Sequence, residues 1–273
     1  MTPRHLLVHL DSSERTAERL RLAVGMATRF GARLAGLFAE GASMGASAVG
    51  RRSPQNMARA AEEARTLFEE RTREAGLTTD WWQLEQGDYA HVVGWTVVCC
   101  RYVDLALFGQ HDPEHEAALP SDMVDQVLLE SGRPTLVVPY IGSYAGVGRR
   151  VLVAWTGSRE SARAINDAIP FMEGAEEVTV LSLQQAPGAD GGAPVPRLDI
   201  TEHLRAHGIE AAYERVITGE ASAVDLVLNR AADAGADLTV MGAYAQSGFP
   251  FLPRSTTTRD ILRTMTTPVL LSR

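Results

Sequence analysis

The sequence is poor in cysteine, in long apolar runs and in clustered basic residues, and each shortage removes a class of protein. Its only cysteines, Cys99 and Cys100, are neighbours, which suits neither a disulfide framework nor zinc with its separated ligand pairs. They read as buried free thiols. No apolar run approaches the ~20 residues needed to cross a bilayer, so a membrane is not an expected partner. The net charge is −8 and basic residues are scattered, leaving a nucleic-acid backbone no basic stripe to bind. No GxSxG elbow, GxxxxGK[ST] cradle or Ser-His-Asp order occurs, so hydrolase and P-loop kinase readings lack their residues. The opening stretch "MTPRHLLVHLDSSE" meets Asp11 without the apolar core of a signal peptide, which predicts a cytoplasmic protein.

What is present is an internal repeat. "HLLVHLDSSERTA" (His5 to Ala17) aligns with "RVLVAWTGSRESA" (Arg150 to Ala162), "DLALFGQ" (Asp104 to Gln110) with "DLTVMGA" (Asp237 to Ala243), and "GRPTLVV" (Gly132 to Val138) with "TTPVLLS" (Thr266 to Ser272). A length of 273 residues, 45% of them apolar, is enough to give each copy its own core. The glycine-rich "YIGSYAGVGRR", Tyr140 to Arg150, reads as the linker, and the expected domains are 1–141 and 149–273.

Within each copy, short β-branched runs alternate with amphipathic helical patterns, the signature of βαβ units around a parallel sheet buried on both faces. Strands are expected at "HLLVHL", "ARLAGLFA", "DWWQLEQ", "DLALFG" and "PTLVVP", then at "RVLVAW", "EVTVLSL", "AAYERVI", "DLTVMG" and "PVLLS". Ala17, Leu20, Val24 and Ala27 form a helical stripe behind a Ser12 or Ser13 cap. A second helix ends at Gly76 and a third covers "AHVVGWTVVCCRY". The fold class is therefore α/β, with two tandem doubly wound domains of five strands each. Ligands of such sheets bind beyond the carboxyl ends of the strands, where the strand order reverses.

With these doubled motifs the chain resembles a tandem universal stress protein. The turns "HLDSS" and "AWTGS", the "QGD" and "TGE" turns, the strand ends "FGQ" and "MGAY" and the closing strands all follow the family's order. The resemblance implies an adenine-nucleotide α-hydrolase-like fold with strand order 3-2-1-4-5, and pairing of the two domains through their last strands; such pairing caps that edge, so a homodimer must use a different face. It also implies a first-strand aspartate at the adenosine. Around the phosphates it implies a loop of Gly, two residues, Gly, nine residues, Gly and Ser/Thr.

Carried onto this chain, that pattern gives Gly242, Ala245, Ser255 and Thr256 in the second half, so two glycines are replaced. A Cβ at such positions strains the loop or crowds the ligand. Ser255, Thr256 and the following threonines open the last helix beside Arg254, where hydroxyls and free N–H groups favour an anion, though capping alone also explains them. Thr156 stands where nucleotide-binding members carry aspartate, next to Gly157 and Ser158. In the first half Asp11 is retained, but the loop "GQHDPEHEAALPSD" carries Asp112, Glu114, Glu116 and Pro120, which repel or fail to hold a phosphate. Asp11 there reads as holding the helix start or the adjacent turn.

The pattern points to a stress-response binding module rather than an enzyme, with ATP or another adenine nucleotide as a weak cofactor of the second half. The alternatives are a slow ATP-hydrolysing or nucleotide-transferring enzyme, for which Asp260 is the nearest acid, and a purely structural dimerisation protein. "HDPEHE", His111 to Glu116, has metal-ligand residue types, but Pro113 breaks the helix that would align them. Trp81 and Trp82 point to opposite faces of a strand and read as packing residues. The small-residue loop Glu40 to Met57, with Arg51 and Arg52, is placed to cover the first crevice.

Overall fold

In the computed structural model, which describes residues 1–40, 54–84, 89–112, 121–185, 198–218, 222–244 and 256–273, the apolar runs become parallel strands and the periodic segments become the helices between them. Contacts divide the chain into two units, Thr2–Gly146 and Val147–Arg273.

The first unit runs β1 (His5–Leu10), α1 (Thr16–Phe30), β2 (Arg33–Phe38), α2 (Pro54–Glu74), β3 (Thr79–Gln83), α3 (Tyr89–Cys100), β4 (Leu105–Gly109), α4 (Met123–Glu130) and β5 (Thr135–Val138). Its strands lie in the order β3-β2-β1-β4-β5, every pair parallel. The second unit runs β6 (Arg150–Trp155), α5 (Arg159–Met172), β7 (Glu177–Gln185), α6 (Ile200–Ala206), β8 (Ala212–Thr218), α7 (Ala223–Asp233), β9 (Leu238–Gly242), α8 (Thr256–Thr264) and β10 (Val269–Ser272). Its order is β8-β7-β6-β9-β10, again all parallel, so each unit has the expected 3-2-1-4-5 arrangement.

The central strands are apolar at consecutive positions because helices cover both faces. Leu6, Leu7 and Val8 of β1 and Leu105, Ala106, Leu107 and Phe108 of β4 are buried, as are Val151, Leu152 and Val153 of β6. Both copies anchor the start of their first strand with the same device. The Asp104 carboxylate accepts from the Arg4 and His5 amides at 2.8 and 3.0 Å, and Asp237 accepts from Gly148 and Arg149 at 2.8 and 3.0 Å. The repeated Asp-Leu thus marks a mechanical joint between the first and fourth strands of each sheet.

Two local expectations are corrected. No serine side chain caps α1: its N-cap is Arg15, without a side-chain cap bond, because Ser13 turns to Asp11 instead. The buried face of α1 is carried by Arg19, Leu20, Ala23, Met26, Ala27 and Phe30, while Ala17 is exposed. The division between the units falls within the segment Tyr140 to Arg150, whose first part is tied down: the Tyr144 amide donates to Glu18 at 2.6 Å, and Arg15 donates to the Gly142 carbonyl at 2.6 Å. Trp81 and Trp82 do point opposite ways from the edge strand β3, Trp81 packing against Phe68 and Trp82 edge-on to His5. Cys99 and Cys100 are free thiols, and burial raises the pKa of both, far more for the enclosed Cys100.

Candidate functional site

Each unit has a topological switch where its first strand separates two oppositely wound neighbours, between β1 and β4 and between β6 and β9. The residues at these two strand ends build two different crevices.

In the first, β1 delivers Asp11 into a buried turn. Its Oδ1 accepts from the Ser13 amide at 3.0 Å, the Ser13 hydroxyl at 2.5 Å and the Thr16 hydroxyl at 2.6 Å, and its Oδ2 accepts from Arg19 Nη2 at 2.9 Å. Both partners are almost fully enclosed, Asp11 being 4% and Arg19 3% exposed. Arg19 Nε also donates to the His9 carbonyl at 2.6 Å. Burial alone would push the Asp11 carboxyl up, but the adjacent guanidinium, His9 and the hydroxyls of Ser13 and Thr16 hold it well below the usual carboxylate range.

His9 completes the cluster. It is fully buried and stacked on Phe108 with ring centroids 5.3 Å apart. Burial lowers its pKa from 6.5 to about 4, against the pull of Asp11, so the neutral ring donates Nε2–H to the Ala39 carbonyl at 2.7 Å. The guanidinium of Arg19 lies directly on Gly109, where an added Cβ would run into Nη1. A cation from α1 therefore fills the gap between the ends of β1 and β4.

The second crevice has none of these charges. At the aligned positions His9, Asp11 and Arg19 become Ala154, Thr156 and Ala164. Thr156 and Gly157 are exposed, and Gly157 turns the chain with φ 71°, a left-handed conformation that glycine adopts without steric cost. Ser158 caps α5 by accepting from the Ser161 amide at 3.1 Å. The Thr156, Ser158 and Ser161 hydroxyls follow one another at 3.0 and 3.3 Å, a neutral chain of donors and acceptors at the helix start. The Glu160 carboxylate, buried below them, pairs with Arg159 Nε at 2.6 Å.

Gly242 closes the second crevice from β9. A Cβ there would come within 2.5 Å of the Ser161 amide nitrogen, so the start of α5 itself requires this glycine, whatever the crevice holds. The following turn places Tyr244 at φ 51°, an uncommon conformation for a bulky residue. Its amide donates to the Thr258 hydroxyl at 2.9 Å. One member of the hydroxyl cluster at the start of α8 is thus committed to holding the turn.

Of the residues singled out from sequence, Thr156, Gly157 and Ser158 come together at the end of β6, with Gly242 packed on α5 beside them. Thr256 begins α8, and Ala245, Arg254 and Ser255 lie outside the described residues, as do Pro113 to Pro120 of the first loop. Asp11 sits apart in the first unit, where it holds the turn through Ser13. His9 and Arg19 escaped the sequence reading. The available signal was an arginine on the buried stripe of α1, in line with Ala23, Met26 and Phe30. Among the described residues no group of three or more His, Cys, Asp or Glu side chains is placed to hold a metal.

Doubly wound sheets with a crevice at each switch point define a tandem α/β binding architecture. Residues 148–273 match the Universal stress protein family, and the first unit repeats the strand order of that matched half. A universal stress protein from Archaeoglobus fulgidus DSM 4304 is similar over 98% of this chain and 98% of its own, at 18% identity and a TM-score of 0.73. A candidate universal stress protein from Pseudomonas aeruginosa UCBPP-PA14 is similar over 99% and 93%, at 19% identity and a TM-score of 0.62. A functionally unknown protein from Pseudomonas aeruginosa PAO1 is similar over 99% and 92%, at 17% identity and a TM-score of 0.60. At these identities the likeness establishes the fold. No curated protein matches the sequence.

Proposed function

We propose that the protein is a non-enzymatic, cytoplasmic stress-response binding module whose remaining capacity for an adenine nucleotide lies in the second half, at Thr156, Gly157, Ser158, Gly242, Ala245, Arg254, Ser255 and Thr256. The observation that carries this reading is the contrast in free donors and acceptors. The Asp11 carboxylate has both oxygens occupied by Ser13, Thr16 and Arg19, whereas Thr156 and Gly157 stand exposed at the mouth of the second crevice.

A neutral hydroxyl in place of a carboxylate gives up a charge-assisted hydrogen bond to ribose or adenine, which weakens binding without abolishing it. Among the described residues, neither strand end pairs a nucleophile with a base. The Thr156, Ser158 and Ser161 hydroxyls bond to one another, and Asp260 is exposed on α8. Calorimetry of the full chain with ATP and magnesium tests the reading. The expected result is a weak saturable heat that Thr156→Asp strengthens by about tenfold, with no release of phosphate. A wild-type dissociation constant in the low micromolar range or better contradicts the weakened pocket, and steady phosphate release contradicts the non-enzymatic assignment.

A further inference from the structure

Arg19 and Arg15 both line a cavity of about 240 Å³ beyond the carboxyl ends of β1, β4 and β5. Its walls include Arg15 and Arg19 from α1, Gly109 and Gln110 after β4, and Pro139 and Tyr140 after β5. Arg19 spends Nε on the His9 carbonyl and Nη2 on Asp11 and Thr16, and among the described residues it makes no bond through Nη1, the nitrogen that lies over Gly109. Arg15 gives Nη2 to the carbonyls of Gly142 and Pro139, at 2.6 and 3.4 Å. Its Nε is buried without a hydrogen-bond partner, and among the described residues no carboxylate pairs with its charge. The Arg15 guanidinium thus borders the cavity with a charge that the described residues leave uncompensated, and taking such a group out of water without a partner is costly.

We propose that this cavity binds a single small oxyanion, a phosphate or carboxylate group, between the guanidinium groups of Arg15 and Arg19. Guanidinium presents its donors in a planar fork that matches either group, and the chain has used arginine for all 26 of its basic side chains. Carboxylates also border the cavity, and they set the limit on the guest. Asp11 is neutralised by Arg19, and Glu18 is held by Arg21 at 2.7 Å and by the Tyr144 amide at 2.6 Å. Glu14 and Asp112 also line the cavity, and added negative charge there disfavours a guest with several charges. The site is confined to the first half, because the residues aligned with Arg15 and Arg19 are Glu160 and Ala164. It is independent of the nucleotide reading, which concerns the other unit.

The test uses full-length nitrogen-15-labelled protein, titrated at constant ionic strength with inorganic phosphate, with malonate and with chloride, and followed at the Gly109 amide and the Arg19 Nε–H. Phosphate or malonate is expected to give saturable shifts, and the one that binds tighter names the natural chemistry. Chloride is expected to give only a linear drift. Arg15→Gln, at a half-buried position that leaves the Asp11–Arg19 pair in place, lowers the affinity about tenfold or more. Thr156→Val leaves it unchanged while weakening ATP. Linear shifts with both oxyanions, or wild-type affinity in Arg15→Gln, overturn the proposal. Loss of ATP binding in the Thr156 variant alone bears only on the second crevice.

Discussion

The two crevices grew from one segment, "HLDSSERTAER" in the first copy and "AWTGSRESARA" in the second, and they satisfy the same strand end in opposite ways. The first buries a charge pair with a histidine behind it. The second removes all three ionisable side chains together and leaves hydroxyls that satisfy one another. The difference teaches that the trio changes as a unit. A buried carboxylate requires its cation, and either one left alone is far worse than neither.

That interdependence is open to attack by substitution, and the largest effect is expected at its centre. Arg19→Ala leaves the Asp11 charge enclosed and should cost about 3–5 kcal/mol in urea unfolding. Transplanting the second copy's solution, His9→Ala with Asp11→Thr and Arg19→Ala, should recover much of that loss despite removing more atoms. A triple variant less stable than Arg19→Ala would show that the network stabilises the first unit outright rather than merely satisfying itself.

The pH response should separate the halves next. The His9 pKa falls from 6.5 in the unfolded chain to about 4 when folded, so the unfolded state binds the proton first on acidification. The stabilisation is present in full above pH 6.5 and is lost as the pH falls through about 4, a change of about 3 kcal/mol. Hydrogen exchange followed by peptide should show this loss in β1 and α1, and not in β6 and α5, where Ala154 cannot titrate. His9→Ala should flatten the response of the first unit.

The two strand-end glycines give a smaller contrast. Gly242→Ala drives a Cβ into the backbone of α5 and should cost about 1–3 kcal/mol. Gly109→Ala meets only the end of the Arg19 side chain, and should cost less while disturbing the guanidinium. Equal losses at the two positions would mean that Arg19 is held as firmly as main chain. The smallest effect is expected at the helix start: Ser158→Ala removes the α5 cap and should cost about 1 kcal/mol, whereas α1 has no serine cap to lose.

Much of this was legible from residues. The strands at His5–Leu10 and Arg150–Trp155 fall where the apolar runs stand, because a run buried on both faces is continuous and its bounds are sharp. The start of α1 was misread because a serine after a strand is a good cap by type, although the reading of Asp11 as holding the adjacent turn already named the side chain that claims the Ser13 hydroxyl and amide. Gly242 was read as the retained glycine of a phosphate loop, and the structure adds a packing requirement at the same position. Sequence offered a ligand's approach, and the structure supplies the backbone of α5.

The sequence by itself determined the duplication, the alternation of strands and helices, and the exchange of His9, Asp11 and Arg19 for Ala154, Thr156 and Ala164, since period and composition are local and survive in the order of residues. Only the tertiary structure decided what those residues do. Asp11 and Gly109 are far apart along the chain, and the guanidinium that joins their strand ends reaches them only after α1 has packed across the sheet. Whether a polar atom is free for a ligand depends on the neighbours that folding brings to it, and that is not written at any one position.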